Sequence, residues 1–297
     1  MIDLHLHTTY SDGTDSVIEL LKKAEKLKLE YISITDHDTC EGYEEIEKID
    51  VKKYYTGTII KGIEIKCSYR KRLIEILGYN VDTKVVNNYM NKFHEHHSKE
   101  KVQQKYFDIL YQRCIDIGLK VSPKNEINFD SKVDWASVSI YNEIKLHNYN
   151  KEMLPEDLWE EFTTFSKKYC GNPNTKWYID KTEDYLSLEE AIKLVKDAGG
   201  LVFLPHIFIY KWAEDKKKLL NDIVTNYNID GIECIHSEFN EDEIDYLLKY
   251  AEENNYYKSG GSDYHGKNKP SIEMSIGKGN LQMKTNLIED WVKGLKT

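Results

Sequence analysis

Two histidines separated by one residue lie close to the N-terminus. His5 and His7 fall in residues 2–7, where apolar and polar side chains alternate as they do in a β-strand. Side chains two positions apart in a strand project from the same face of the sheet, so both imidazoles are expected on one face. Neutral imidazoles bind divalent metals such as Mn²⁺, Zn²⁺ and Fe²⁺. Two histidines at this spacing often have only a structural role, so the positions of the other histidines determine whether a metal site is predicted.

Further histidines and acids lie within or just after other predicted strands. The full set is His5, His7, His37, His206 and His265 with Asp12, Glu64 and Asp263. In a parallel α/β barrel the carboxyl ends of the strands meet at one rim, where catalytic groups collect. Ionisable groups buried together need cations to compensate them. These ligands exceed what one ion needs, so two or three divalent ions are expected.

Short apolar strands alternate with amphipathic helices in both arms of the chain. The strands are predicted at residues 2–7, 31–35, 58–65, 73–79, 201–205, 231–235 and 257–260. Ser16 is a predicted helix N-cap, and Glu19 three residues later completes a capping box. Residues 85–119 are predicted to be helical, and a last helix is predicted at 287–295. Repeated βα units favour a parallel sheet, open or closed into a barrel.

Composition limits the possible partners and compartments. The chain has 297 residues, with 51 acidic and 41 basic side chains and a formal net charge of −10. Such a charge disfavours broad binding to duplex nucleic acid or anionic lipid, although a local pocket can still bind a phosphorylated ligand. No membrane span or signal segment is predicted. The five cysteines form no C-x-x-C pair, which favours the reducing cytoplasm.

The ordered motifs resemble those of the PHP (polymerase and histidinol phosphatase) superfamily, in particular its stand-alone phosphoesterases. The motifs that carry the resemblance are His5-Leu-His7, Ser11-Asp12-Gly13-Thr14, Thr35-Asp36-His37-Asp38, Gly62-Ile-Glu64, Leu204-Pro-His206, Asp230-Gly-Ile-Glu233 and Gly261-Ser-Asp263-Tyr-His265. The resemblance implies an α/β fold, a distorted (β/α)7 TIM-like barrel, with a helical insertion. The barrel domain would comprise residues 1–80 and 183–297, and residues 81–182 would form a substrate-capping insertion.

The resemblance also implies an activity. Relatives of this kind resemble phosphatases of nucleoside monophosphates and 3′,5′-bisphosphates, and some are 5′→3′ exonucleases on short RNA. We therefore expect a hydrolase acting on the phosphate ester of a small metabolite or nucleotide, with short nucleic acid as a further possible substrate. A metal-activated hydroxide would attack phosphorus.

Roles for individual residues follow from the same resemblance. His5, His7, Glu64 and Asp263 would hold one ion, and Glu64 would bridge to a second ion that His206 also binds. A third ion would lie between Asp12, His37 and His265. The residues expected to act most directly in catalysis are Glu64, Asp263 and His37.

The sequence departs from the family pattern at three places. Glu75 stands where relatives carry a histidine ligand of the second ion, and it could shift the metal preference toward Mn²⁺ or Mg²⁺. Phe239 stands where relatives carry a histidine near the substrate phosphate, and His236 is a nearby substitute. Residues 136–141 lack the arginine and histidine with which relatives reach the substrate. Arg70 and Lys211 are the predicted replacements for this missing phosphate contact.

Two other readings remain open at this stage. One is a histidinol-phosphatase-like enzyme with the same metal site and a different pocket. The other is a metal-binding PHP module with little or no catalysis. The sequence leaves the substrate, the metal, the general acid, protein partners and the oligomeric state undetermined. It also leaves open whether the three departures abolish activity on nucleotides.

Overall fold

A computed structural model describes residues 1–295 of the chain. Within that part, the chain forms two compact units. The first, which we call the sheet unit, comprises Met1–Asn91 and the described residues from Tyr185 onward. The second, which we call the insertion unit, is Lys92–Asp184. No helix in residues 1–295 is both long and apolar enough to cross a membrane.

The strands all belong to the sheet unit. They are β1 Ile2–Leu6, β2 Tyr31–Ile34, β3 Thr58–Ile59, β4 Gly62–Tyr69, β5 Arg72–Tyr79, β6 Leu186–Ser187, β7 Leu201–Leu204, β8 Gly231–His236 and β9 Tyr257–Gly261. One sheet has the order β1-β2-β3, and the other has the order β6-β4-β5-β7-β8-β9. The side chains of β1 and β8 are buried along their whole length, as expected for strands covered on both faces.

The prediction of a parallel sheet is wrong for β5, which runs antiparallel to both β4 and β7. A two-residue turn at Arg70 and Lys71 joins β4 to β5, and both turn residues have positive φ angles of 48° and 60°. Such turns usually carry Asn or Gly, so Arg70 and Lys71 are not a recognisable hairpin signal. The predicted strand at 58–65 is also interrupted, because β3 pairs with β2 while β4 pairs with β5.

Isolated bridges connect the two sheets at two places. Leu6 pairs with Tyr264 beyond β9, and His37 beyond β2 pairs with Glu64 on β4. Backbone hydrogen bonds support both junctions, from the Asp263 amide to the His5 carbonyl and from the Asp38 amide to the Glu64 carbonyl. The described residues form two sheets linked at these points, and not one continuous closed barrel.

The helices are α1 Val17–Lys26, α2 Gly42–Ile46, α3 Thr83–His96, α4 Lys99–Ile117, α5 Ala136–Lys145, α6 Glu156–Glu160, α7 Phe162–Thr164, α8 Leu188–Asp197, α9 Lys216–Asn226, α10 Glu241–Glu253 and α11 Glu289–Val292. The capping box predicted at Ser16 and Glu19 is confirmed at the start of α1. The predicted helix at 85–119 is two helices, because the Ser98 side chain caps a new start at α4. The predicted last helix at 287–295 is limited to one turn, α11.

The insertion unit has a hydrophobic core of its own. Buried side chains from α4 and α5 pack with aromatic residues of the following segments, including Trp159, Phe165 and Trp177. Because the apolar faces of α4 and α5 are covered within the unit, residues 92–184 are more than an extended loop.

Candidate metal centre

The predicted ligands come together at strand ends of the sheet unit. His5, Glu64 and Glu75 lie on β1, β4 and β5, and the others lie in the segments that follow β1, β2, β7 and β9. We call these residues the ligand cluster: His5, His7, Asp12, His37, Glu64, Glu75, His206, Asp263 and His265. The cluster spans both sheets, since its members flank the two bridges that connect them.

Glu64 lies among four imidazoles. Its Oε2 is 3.3 Å from His5 Nε2, 3.4 Å from His7 Nε2 and 3.1 Å from His37 Nδ1. Its Oε1 is 2.8 Å from His206 Nε2. Burial opposes the charge of this carboxylate, yet the imidazoles of His5 and His206 hold its pKa well below the usual value. An ionised, buried carboxylate between imidazoles is suited to bridging cations.

Asp263 and Asp12 occupy another side of the cluster. Asp263 Oδ1 is 3.3 Å from His7 Nε2 and 3.4 Å from His265 Nδ1. Burial alone would raise the pKa of Asp263, but the imidazoles of His236 and His7 hold it well below the usual value. Asp12 Oδ1 is 3.1 Å from His265 Nε2 and 3.8 Å from His7 Nδ1. Asp12 is therefore within reach of a cation held by the same histidines.

Glu75 faces the cluster from the antiparallel strand. Its Oε2 is 3.5 Å from His206 Nε2, and its Oε1 is 3.4 Å from Lys66 Nζ. Ligand atoms of Glu75, His37 and Glu64 all lie within 4.8 Å of one another. Two further sets meet the same limit, His5-His7-Glu64 and His7-Asp12-His37-His265. The geometry thus offers donors in three overlapping groups.

The chemistry of the donors fits divalent cations. Several buried ring nitrogens of this region have no hydrogen-bond partner of acceptable geometry in the described structure: His5 Nε2, His7 Nδ1 and Nε2, His37 Nδ1, His206 Nδ1 and His236 Nε2. Unpaired buried polar atoms are costly and need an explanation. Burial lowers the pKa of His7 to about 4, so its imidazole is neutral and able to ligate near pH 7. Metal ions would satisfy these nitrogens and compensate the carboxylates.

Strained backbone accompanies the site. His206 has a φ of 26° and Asp263 a φ of 58°, both in the left-handed region that side chains rarely adopt. Residues in this region cost free energy and persist where surrounding contacts fix them. Both residues lie two positions after the end of a strand, and both side chains contact other members of the cluster.

Sequence reasoning assigned no role to Glu233, a fully buried residue on β8. Its Oε1 is 2.8 Å from His5 Nδ1, and its Oε2 accepts a 2.8 Å hydrogen bond from the His206 amide. One carboxylate therefore orients one predicted ligand histidine and fixes the strained backbone of another. The sequence signals are an acid in a mostly apolar strand and its place in the Asp230-Gly-Ile-Glu233 motif.

Asp3 is a second buried acid without a predicted role. It accepts hydrogen bonds from the Ser262 amide and hydroxyl at 2.9 and 2.6 Å, and from the Ser275 amide at 2.6 Å. Burial raises the pKa of Asp3 to about 6. These bonds connect β1 to the segment that carries Asp263.

The predicted substrate-binding residues fall in different places. His236 is fully buried, with Nε2 3.5 Å from Asp263 Oδ2 and Nδ1 accepting a hydrogen bond from the Glu238 amide. Lys211 is exposed in the segment after β7. The structure does not bring Arg70 to the cluster. It lies in the β4–β5 turn, where its guanidinium is 3.2 Å from Asp222. Glu64 is six residues before Arg70 along the chain, which is roughly 20 Å at the usual strand rise.

Fold and site together define an α/β protein with a buried cluster of histidines and carboxylates that could hold metal ions. A family model described as the PHP domain matches residues 3–259. The chain belongs to this family.

Comparison with known proteins gives relatives across nearly the whole chain. A 5′-3′ exoribonuclease from Haemophilus influenzae is 26% identical over 295 residues, which cover 98% of each chain. A phosphoribosyl 1,2-cyclic phosphate 1,2-diphosphodiesterase from Eggerthella lenta is 24% identical over 269 residues, 89% of this chain and 94% of the relative. Among solved structures, one described as a metal-dependent phosphoesterase from Bifidobacterium adolescentis has a TM-score of 0.60 at 20% identity, covering 99% of this chain and 94% of that one. The structural likeness concerns the fold.

Proposed function

We propose that this chain is a metal-dependent phosphoesterase, a hydrolase of phosphoester bonds that acts at the ligand cluster. The observation that carries the proposal is Glu64, a buried and ionised carboxylate surrounded by four imidazoles with unpaired nitrogens nearby. Divalent ions bound there would neutralise phosphoryl oxygens and lower the pKa of water, which is the chemistry that phosphoester hydrolysis requires.

The ligand assignments are part of the proposal. Glu64 would bridge two ions, one shared with His5, His7 and Asp263 and the other with His206 and Glu75. Asp12, His37 and His265 would hold a third ion. Two to three divalent ions are supported by the three overlapping donor groups. Mn²⁺, Zn²⁺ and Fe²⁺ suit a set rich in imidazole, and the additional carboxylate Glu75 is compatible with Mg²⁺.

Residues of the chain have two proposed roles at this site, direct action in catalysis and positioning of the ligands. Glu64, Asp263 and His37 would act most directly in catalysis, and His37 is the most exposed of these three, with 26% of its side chain accessible. Glu233 and Asp3 keep the ligand-bearing segments in place through buried hydrogen bonds.

The proposed substrates are small phosphorylated metabolites, nucleotides and short RNA. Short RNA is supported by the exoribonuclease relative, which aligns over 98% of both chains. Small phosphate esters are supported by the diphosphodiesterase relative. We further propose that the two sheets correspond to one distorted (β/α)7 barrel, since bonds join them at two junctions. The insertion unit would cap the substrate, and free, buried cysteines support a cytoplasmic location.

The test combines metal analysis with a substrate panel. Untagged protein is stripped with a chelator, reconstituted with Mn²⁺ and assayed with an aryl phosphate, a nucleoside 3′,5′-bisphosphate and a short RNA oligomer. Two to three ions per chain with turnover of one substrate would support the proposal. Full metal occupancy without turnover of any substrate would favour the non-catalytic module, and absence of metal after reconstitution would refute the assignment of the cluster.

A further inference from the structure

Arg70 was predicted to contact the substrate phosphate, but its side chain pairs with Asp222 and does not reach the ligand cluster. A different cation contacts the cluster directly. Lys269 Nζ forms an ion pair with Asp263 Oδ2, the oxygen that also lies 3.5 Å from His236 Nε2. Asp263 Oδ1 faces His7 and His265, so the two oxygens serve different partners.

The segment that carries Lys269 is held against the loop that carries Asp12. The Asn268 side chain donates a 2.7 Å hydrogen bond to the Asp12 carbonyl, and the Lys267 amide donates a 2.8 Å bond to Thr14 Oγ1. Gly266 has a φ of +63°, and a Cβ there would lie 2.2 Å from Thr14 Oγ1. The backbone that precedes Lys269 is thus fixed relative to Asp12, a predicted metal ligand.

Side-chain exposure shows which face of the cluster is open. The side chains of His5 and His7 are 0% exposed, and that of Glu64 is 1% exposed. In contrast, Asp12 is 57% exposed and Lys269 is 38% exposed. A ligand from solvent therefore reaches the cluster on the side where Asp12 and Lys269 lie.

A phosphate ester that approaches this face carries negative charge next to buried carboxylates. Divalent ions compensate the carboxylates, and a neighbouring ammonium supplies a further charge-assisted donor to a phosphoryl oxygen. Lysine commonly binds phosphate as a point charge on a flexible stem. Its exposure leaves Lys269 free to turn from Asp263 toward an incoming anion without disturbing the buried histidines.

We propose that Lys269 is a phosphate-binding residue of this site and contributes to substrate affinity. The inference rests on the proposed function, because it assigns the substrate's phosphate to the cluster. Lys269, which contacts the predicted ligand Asp263, takes the phosphate-binding role that was predicted for Arg70.

The test uses Lys269→Met, which removes the charge and keeps the apolar stem, and Lys269→Arg, which keeps the charge. Lys267→Met is the matched control, since Lys267 is exposed on the same segment. The measurements on Mn²⁺-loaded protein are metal content, kcat and KM for an aryl phosphate, and binding of inorganic phosphate by calorimetric titration. For Lys269→Met we expect KM and the Kd of phosphate to rise about tenfold with unchanged metal content. Lys269→Arg should stay within about threefold of the wild type.

Two results would overturn the proposal. Unchanged KM and phosphate Kd in Lys269→Met would show that the ammonium does not contact phosphate. Lower metal content in that variant would show that Lys269 positions Asp263 instead. Calorimetric titration with phosphate distinguishes failure of the Lys269 proposal from failure of the proposed function. A wild-type protein that binds phosphate through Lys269 without turnover refutes only the hydrolase, and turnover with unchanged phosphate binding refutes only the lysine.

Discussion

At the scale of single residues, Glu64 contacts more members of the ligand cluster than a residue that binds a single ion would need to. It contacts histidines from β1, from the segment after β2 and from the segment after β7. We predict that Glu64→Gln, which keeps the size and removes the charge, lowers hydrolysis on the order of 100-fold or more. Bound metal should fall by at least one ion per chain, measured by elemental analysis.

His96→Ala is the matched control for Glu64→Gln, because His96 is an exposed histidine on α3. Its metal content and turnover should equal those of the wild type. Wild-type metal content and turnover in Glu64→Gln would contradict the bridging role.

Glu233 is expected to act on metal affinity without contacting metal. The variant Glu233→Gln retains the shape of the side chain but removes the ionised partner of His5 Nδ1. Loss of such a supporting carboxylate typically weakens metal binding by about 10- to 100-fold. Competition with a chelator measures this change, and Glu238→Gln, an exposed residue paired with Lys278, is the control. Equal metal affinities of Glu233→Gln and wild type would show that Glu233 has only a packing role.

The contrast between these residues explains what the sequence could reveal about the site. His5 and His7 are recognisable locally, because period-two spacing fixes their common face. Glu233 contacts His5, which is 228 positions away in the sequence. Lys269 contacts Asp263, which is 6 positions away. The first depends on which strands are neighbours, and the second on how the segment after His265 folds back. Neither arrangement is encoded in local periodicity.

At the scale of elements, helix starts were more predictable than strand pairing. Hydrogen bonds within four residues specify a capping box, as at Ser16 and Glu19. Pairing of β5 depends on a turn at Arg70 and Lys71, whose side chains favour negative φ. The antiparallel hairpin nevertheless matters for the site, since it places Glu75 opposite Lys66 and beside His206.

The capping box at the start of α8 provides a test at this scale. Ser187 accepts a hydrogen bond from the Glu190 amide, and the Glu190 carboxylate accepts one from the Ser187 amide. Ser187→Ala should lower the free energy of unfolding by about 1 kcal/mol, and Ser187→Asn should preserve it because asparagine also caps helices. Urea unfolding followed by circular dichroism measures both variants. Equal destabilisation by both substitutions would mean that β6 pairing, and not capping, determines the effect.

At the scale of the whole molecule, the ligand cluster joins distant parts of the chain. His5 and His265 lie near opposite ends of the sequence, yet both approach His7, with ring centroids 5.2 and 4.0 Å away. Bound ions would therefore stabilise the folded arrangement of both arms. A ligand at 1,000-fold its Kd that binds only the folded state adds about 4 kcal/mol to the free energy of unfolding.

We consequently expect chelation to lower the thermal midpoint of the wild-type protein by roughly 10 °C, and added Mn²⁺ to restore it. Differential scanning calorimetry measures the shift. Glu64→Gln provides the comparison, because loss of the bridging carboxylate should reduce the response to Mn²⁺ even where the apo proteins unfold at similar temperatures. If both proteins responded equally, the stabilising ion would lie outside the ligand cluster. A response in the wild type alone would tie the stability of the whole chain to the same buried carboxylate on which the proposed hydrolysis depends.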